Sequence, residues 1–355
     1  MGASGKVAID AFGGDNCPTV EIEAAVRAVR EGLRVILVGD EARLRPALEK
    51  LDARARDAIE LHHASEVITM EDTPSKAIRS KRDASMPVCF DLVREGKADA
   101  VVSAGNSGMM LACGLFKFRR IRGVDRPAIV TCFPSAREAT VLLDMGANVE
   151  CKPINLAQFA VMGSVFASVE FGRERPTVGV LSNGSEDSKG TELTRVTHRL
   201  LRAHPSPRFE YVGYVEGKDV FSGEVDVVVT DGFTGNIVLK TVEGTANAIL
   251  GFLRDAVAAS PMRAKLGAAL MRPAFAQFRR RTDPDNYGGA PLLGVDGIAV
   301  ICHGGASPVA MLNGIRLADR FAREGATPGL RDALLEHDAL FAAAKQAEPA
   351  PEEER

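Results

Sequence analysis

Val225–Thr241 reads VDVVVTDGFTGNIVLKT, and the fold follows from it. Val225–Thr230 is apolar and β-branched apart from Asp226, as in a strand covered on both faces. Asp231 and Gly232 break the run, and a helix carrying Val238, Leu239 and Lys240 begins just after. Strand, glycine turn and helix in immediate succession form half of a βαβ unit. The same succession recurs in both directions. Strands are predicted at Lys6–Ala11, Val35–Val38, Ile59–His63, Ala100–Ser103, Ala128–Cys132, Val141–Asp144, Thr177–Leu181, Phe209–Val215 and Ile298–Cys302. Between them, Glu21–Glu31 places Ile22, Val26 and Val29 on one helical face, and Glu192–Ala203 does so with Leu193, Val196 and Leu200. This alternation predicts an α/β protein with a mainly parallel sheet in an α/β/α sandwich.

The length of 355 residues suits one two-lobed catalytic unit, here 6–345, with a flexible lead at 1–5 and a disordered, Glu-rich tail at 346–355. Within it, 255–285 reads as a helical projection. Met262, Leu266 and Leu270 follow helical spacing, Pro273 interrupts, and Phe275 and Phe278 precede Arg279, Arg280 and Arg281. The net charge of −3, with no Trp and three Tyr, gives neither long-range attraction to nucleic acid nor stacking platforms for bases. Six scattered cysteines show no zinc or disulfide spacing and suit a reducing, cytoplasmic compartment. The longest uncharged run, Ala100–Phe116, is broken by Ser103, Gly105, Asn106, Ser107 and Gly108, and reads as strand, turn and helix rather than a membrane span.

Four strand ends are alike in being rich in Gly, Asn, Ser and Asp. They are DAFGGDNCPT (Asp10–Thr19), SAGNSG (Ser103–Gly108), SNGSEDSKG (Ser182–Gly190) and DGFTGN (Asp231–Asn236). Glycine allows close backbone approach, Asn and Ser give short hydrogen bonds, and a helix start offers N–H groups to an anion. Tight βα turns alone would look similar for any one loop. The four together predict a cleft for a phosphate-like anion at the carboxyl ends of the strands, with Lys189 and Lys240 adding charge. None matches GxGxxG or GxxxxGK[ST], so no nucleotide cofactor is expected. The strand-end acids Asp10, Asp15, Asp144 and Asp231 lack a metal-site pairing, and no metal is expected. His303, in ICHGGAS, is either a proton donor or a buried, hydrogen-bonded histidine. Lys76, Arg79, Lys81 and Arg82 are either a solvated helix face or a docking patch for an acidic partner.

Taken in order, VAIDAFGGD, PSKAIRSKRDASM, SAGNSG, RPAI, LLDMGAN, QFAVMG, GSEDSKG, VDVVVTDGFTGNIVLKTVEG, YGGAPLLG and CHGGAS resemble the bacterial phosphate acyltransferase family over Lys6–Asp319. The resemblance implies a phosphotransacetylase or isopropylmalate-dehydrogenase-like fold and a homodimer. It also implies transfer of a fatty acyl group from acyl-[acyl carrier protein] to inorganic phosphate, whose product a glycerol-phosphate acyltransferase uses in phospholipid synthesis. A further implication is peripheral membrane contact through the projection, for which dimer packing is the alternative. Two departures stand out. Ser182-Asn183-Gly184 replaces the family's usual Asn, aliphatic, Gly, and Ile301-Cys302 precedes His303 where Lys and Ser are usual.

On this reading Asn236, Lys240 and His303 are the catalytic candidates. Asn106, Ser107, Gly108, Lys189 and Asn236 bind phosphate. Asp10, Gly13, Gly14, Asp15, Asn148, Glu186, Asp231, Gly232 and Gly235 shape the cleft loops. One of the two basic clusters, Lys76, Arg79, Lys81 and Arg82 or Arg279, Arg280 and Arg281, is expected to receive the carrier protein. Rival readings are a short-acyl phosphotransacetylase, a nicotinamide-dependent dehydrogenase on a related fold, and a non-catalytic phosphate or acyl sensor.

Overall fold

The computed structural model describes residues 5–282 and 288–347, with the side chains of 279–282 outside the description. The strands are β1 (Lys6–Asp10), β2 (Arg34–Gly39), β3 (Ile59–His63), β4 (Ala100–Ser103), β5 (Ala128–Pro134), β6 (Ala139–Leu143), β7 (Thr177–Leu181), β8 (Glu210–Val215), β9 (Val227–Val229), β10 (Ala290–Leu293) and β11 (Ile298–Ile301). The helices are α1 (Thr19–Arg30), α2 (Glu41–Leu48), α3 (Ala53–Ala58), α4 (Pro74–Ser80), α5 (Ser85–Arg94), α6 (Ser107–Cys113), α7 (Pro153–Phe171), α8 (Glu192–Ala203), α9 (Gly232–Ala259), α10 (Met262–Leu270), α11 (Arg272–Thr282), α12 (Pro308–Arg323), α13 (Ala326–Glu336) and α14 (Asp338–Gln346).

The strands form one sheet in the order β3-β2-β1-β4-β11-β10-β5-β6-β9-β7-β8. Parallel pairing holds on either side, from β3 to β11 and from β6 to β8. Three antiparallel pairings, β11/β10, β10/β5 and β5/β6, lie between. The mainly parallel sheet is therefore present, and its direction reverses at the middle.

Alternation along each strand divides the core by face. Val7 and Ile9, Val141 and Leu143, and Val227 and Val229 join one continuous cluster under α1, α7, α8, α12, α13 and α14. On the opposite face Ala8 and Val101 pack with Phe90, Met109 and Met110 of α5 and α6. Leu142 and Val228 on that face form a separate, smaller cluster with Val238, Leu239 and Val242 of α9. One face is thus continuous and the other is split into two lobes.

Helix α7 is long and apolar enough to cross a membrane, yet most of it is buried inside the protein. Phe159, Ala160, Val161 and Met162 are all 0% exposed, and truncating such a Phe costs about 3–5 kcal/mol. Gly5 donates its N–H to Asp319 Oδ1 at 2.9 Å, so the chain is already tied to α12 one residue before β1. The rest of the predicted lead (1–4), the end of the projection (283–285) and most of the tail (348–355) lie outside the described residues.

Candidate active site

The loop residues fall into two groups. The first leaves the carboxyl ends of the neighbouring strands β1, β4 and β11. Asp10 is buried and accepts the Ser103 hydroxyl at 2.7 Å and the Phe12 N–H at 3.2 Å. Ser103 Oγ in turn accepts the Gly105 N–H at 3.0 Å. A Cβ on Gly13 would come within 2.6 Å of Asp10 Oδ2 and 2.7 Å of Gly105 N, so only glycine lets these loops meet. Asp15 donates its N–H to the Gly304 carbonyl at 2.8 Å, joining the β1 and β11 loops. Burial pushes the Asp10 carboxyl up from its ordinary value, against the hydrogen bonds of Ser85, Ser103 and Phe12.

Two predicted ligands here have specific settings. The Asn106 side chain is fully engaged: Oδ1 caps α6 by accepting the Met109 N–H at 3.0 Å, and Nδ2 donates to the Met70 carbonyl at 3.1 Å. The backbones of Ser107 and Gly108, both exposed, are what this turn offers an anion. His303 is exposed, and its Nδ1 accepts the Gly305 N–H at 3.1 Å. With Nδ1 accepting, a neutral ring carries its proton on Nε2. The buried-histidine alternative does not hold.

The second group leaves β6, β9 and β7, which are also adjacent. Asp144, fully buried, organises it. One carboxylate oxygen accepts Ile129 N–H at 3.0 Å and Ala147 N–H at 3.1 Å. The other accepts Asn148 N–H at 2.7 Å and Asn148 Nδ2 at 2.8 Å. Burial raises the Asp144 pKa and these donors oppose the rise. Gly232 and Gly235 let α9 press onto this loop; a Cβ on Gly235 would fall 2.0 Å from the Asp144 carbonyl oxygen. Gly146, at φ +128°, faces Asn236.

Asp231 caps α9 by accepting Thr234 N–H and Oγ1–H, both at 2.8 Å. Gly232 N–H goes to the Asn148 carbonyl at 2.8 Å and Gly235 N–H to the Asp231 carbonyl at 2.9 Å. With most of its first N–H groups engaged, this helix start is not an open anion cradle. Side chains carry the chemistry instead. Asn236 and Lys240 lie one turn apart and are exposed, with Lys240 Nζ paired to Glu243 at 2.8 Å. On the β7 loop Lys189 and Glu186 are exposed and lie against Gly184. Asn183 Oδ1 accepts the Gly190 N–H at 2.9 Å, and Thr191 caps α8.

The hydrogen bonds described stay within each group, and the two groups sit on oppositely directed strands. A single cleft formed by all four loops does not follow from the sheet topology. Of the docking candidates, Lys76, Arg79 and Arg82 are exposed. Lys81 is engaged within the chain, donating to Asp72 Oδ2 at 2.6 Å and to the Val67 carbonyl at 3.0 Å. The side chains of Arg279, Arg280 and Arg281 lie outside the described residues.

Two residues escaped the reading of the sequence. Arg126, before β5, is exposed and lies close enough to Cys151 to oppose the rise of its thiol pKa, which burial pushes up to about 12. Glu21 is wholly buried beneath the β1 loop. Its signal was the small-residue spacing Ala24, Ala25, Ala28, which lets α1 lie close against its neighbours.

This architecture is shared with known structures. A phosphotransacetylase from Streptococcus pyogenes superposes with a TM-score of 0.62 at 17% identity, covering 91% of this chain and 95% of that one. The EutD phosphotransacetylase of Staphylococcus aureus does so at 0.58 and 17%, with 91% and 95% covered. The fold thus belongs to the α/β class that phosphotransacetylases adopt. A finer assignment comes from the sequence. Residues 5–327 match the model of the family described as "Fatty acid synthesis protein". The phosphate acyltransferase of Geobacter sulfurreducens is 51% identical over 330 residues, 93% of this chain and 94% of that protein. That of Pelobacter propionicus is 51% identical over 333 residues, 94% and 95% of the two chains. The chain belongs to the phosphate acyltransferase family and is a transferase.

Proposed function

We propose that the enzyme moves a long-chain fatty acyl group from acyl-[acyl carrier protein] to inorganic phosphate, giving acyl phosphate for phospholipid synthesis. One observation supports the site assignment: the loops that follow adjacent β9 and β7 carry exposed Asn236, Lys240 and Lys189, and Asn236 is set against the Asp144–Asn148 loop at Gly146. A phosphate oxygen attacks the thioester carbonyl, the C–O bond forms, and the carbonyl oxygen takes up charge. Collapse breaks the C–S bond, and the departing thiolate takes a proton. Asn236 and Lys240 support the oxyanion, and Lys189 holds phosphate. In this proposal the first loop group also reaches the substrate: the Ser107–Gly108 turn beside Asn106 is a second phosphate contact, and His303 Nε2–H hydrogen-bonds the departing thiolate, which takes its proton from water.

Exposed Lys76, Arg79 and Arg82 suit an acidic carrier protein, with Arg279–Arg281 as the other dock. The projection suits a homodimer interface and peripheral contact with the membrane of an otherwise cytoplasmic enzyme. A glycerol-phosphate acyltransferase then consumes the acyl phosphate. The test is trapping of acyl phosphate as hydroxamate from palmitoyl-carrier protein, with and without phosphate, beside acetyl-coenzyme A. Phosphate-dependent product from the carrier thioester is expected. Product from acetyl-coenzyme A alone would assign the short-acyl reaction, and no phosphate dependence would overturn the proposal.

A further inference from the structure

Glu21 lies in the first turn of α1, is 0% exposed, and neither of its carboxyl oxygens makes a hydrogen bond of ordinary geometry. It faces the turn that joins two loops of the first group. A Cβ on Gly14 would fall 2.7 Å from Glu21 Oε1 and 3.3 Å from the Gly304 carbonyl oxygen. That same carbonyl accepts the Asp15 N–H, and the next bond, Gly305 N–H to Nδ1, orients His303. A buried carboxylate whose nearby N–H groups, those of Glu21 and Gly14, make no regular bond to it is costly, whereas a neutral carboxyl packed beneath Gly14 is not and can itself donate.

The charged and titratable groups around it agree. Asp10 on β1 is a second buried acid and raises the Glu21 pKa, while Cys17 and Asp15 lie on the loop above. His303 stands beyond Gly304. Arg43 of α2 stacks on Phe12, 4.2 Å from the ring centroid, and acts on Cys17. On α1 itself Glu23 and Arg27 pair with each other in solvent. Arg316 of α12 pairs with Glu31 at the far end of α1.

We infer that Glu21 is a positioning residue that works as a neutral acid, holding the Gly13–Asp15 and His303–Gly305 turns together so that His303 is presented in one orientation. Burial, with Asp10 adding to it, pushes the Glu21 carboxyl up to about 7, against the pull of the nearby N–H groups of Glu21 and Gly14. The sign follows from linkage. The folded value lies above the unfolded 4.5, so the stabilisation is full below 4.5 and is lost as pH rises through about 7. Ionisation therefore loosens the two turns at mildly alkaline pH.

The inference rests on the acyl-transfer reading only where activity is the readout. Glu21→Gln keeps the shape and cannot ionise. Wild-type kcat/KM is expected to fall about tenfold per pH unit above the ionisation. The variant should hold its activity to at least about one unit higher. Titration of phosphate is common to both enzymes, so the difference reports Glu21, and superimposed profiles would overturn the inference. A second measurement needs neither substrate nor variant. Hydrogen exchange of amides 13–15 and 304–306 in the wild type, corrected for intrinsic rates, should quicken between about pH 6 and 8.5. Unchanged protection overturns the inference even if the acyl donor proves different.

Discussion

Asp144 meets four donors with two oxygens and so fixes the loop against which Asn236 is set. Asn236 and Lys240 project from that support, and their contribution can be separated from folding. Asn236→Ala and Lys240→Ala are each expected to lower kcat about 10²–10³-fold, or about 2.7–4 kcal/mol of transition-state stabilisation, with little change in melting temperature. Steady-state hydroxamate kinetics checks this, and a loss under tenfold in either removes that residue from the oxyanion assignment. Both side chains were legible in the sequence because a glycine turn after an apolar strand locates the helix start, and the spacing of four puts them on one face. The engagement of Asn106 and Lys81 was not legible, because their partners, Met70, Val67 and Asp72, come from a segment with no periodic pattern.

At the scale of single elements, α9 holds two kinds of glycine. Gly235 has no room for a methyl group, whereas Gly244 has no atom within 4 Å of a built Cβ. Gly235→Ala should destabilise the protein by about 1–3 kcal/mol through overpacking and abolish activity. Gly244→Ala should stabilise it by up to about 1 kcal/mol through helix propensity. Thermal melts of the two variants give the comparison, and equal shifts would mean that α9 does not press on the β6 loop as described.

Two elements resisted the reading of the sequence. Helix α7 is apolar around its whole circumference, so QFAVMG and its neighbours show no amphipathic stripe. Strand β10 is four residues long, includes Pro291 and follows Gly288 and Gly289, which together look like a loop. Its antiparallel pairing with β11 is a local hairpin, but its pairing with β5 joins chain segments far apart in sequence, which no local pattern reports.

For the whole molecule, the projection is the clearest departure from a sealed surface. Met262 is 81% exposed and Leu270 77%, and Phe252 of α9, just before the projection, is 72% exposed, a concentration suited to contact with another surface. Phe252→Glu combined with Leu266→Glu should lower the mass seen by light scattering, weaken retention on anionic vesicles, or both. A variant that keeps both properties would exclude the projection as either interface. Salt dependence locates the carrier dock separately. Charge reversal at Lys76, Arg79 and Arg82 should flatten the decline of kcat/KM with ionic strength, and an unchanged slope would move the dock elsewhere.

The place of β11 beside β4 sets a timetable for synthesis. Ala100 pairs with Ile298 and Ser103 with Ile301, so the first half of the sheet gains its neighbour only after nearly three hundred residues have been made. Until then the emerging polypeptide carries a bare, largely apolar strand border, the kind of surface that recruits a neighbour's backbone. A ribosome stalled before residue 298 would hold an N-terminal half prone to clump or to call on a chaperone. Release of the remaining C-terminal residues would close the border and fasten Gly5 to Asp319 in the same event.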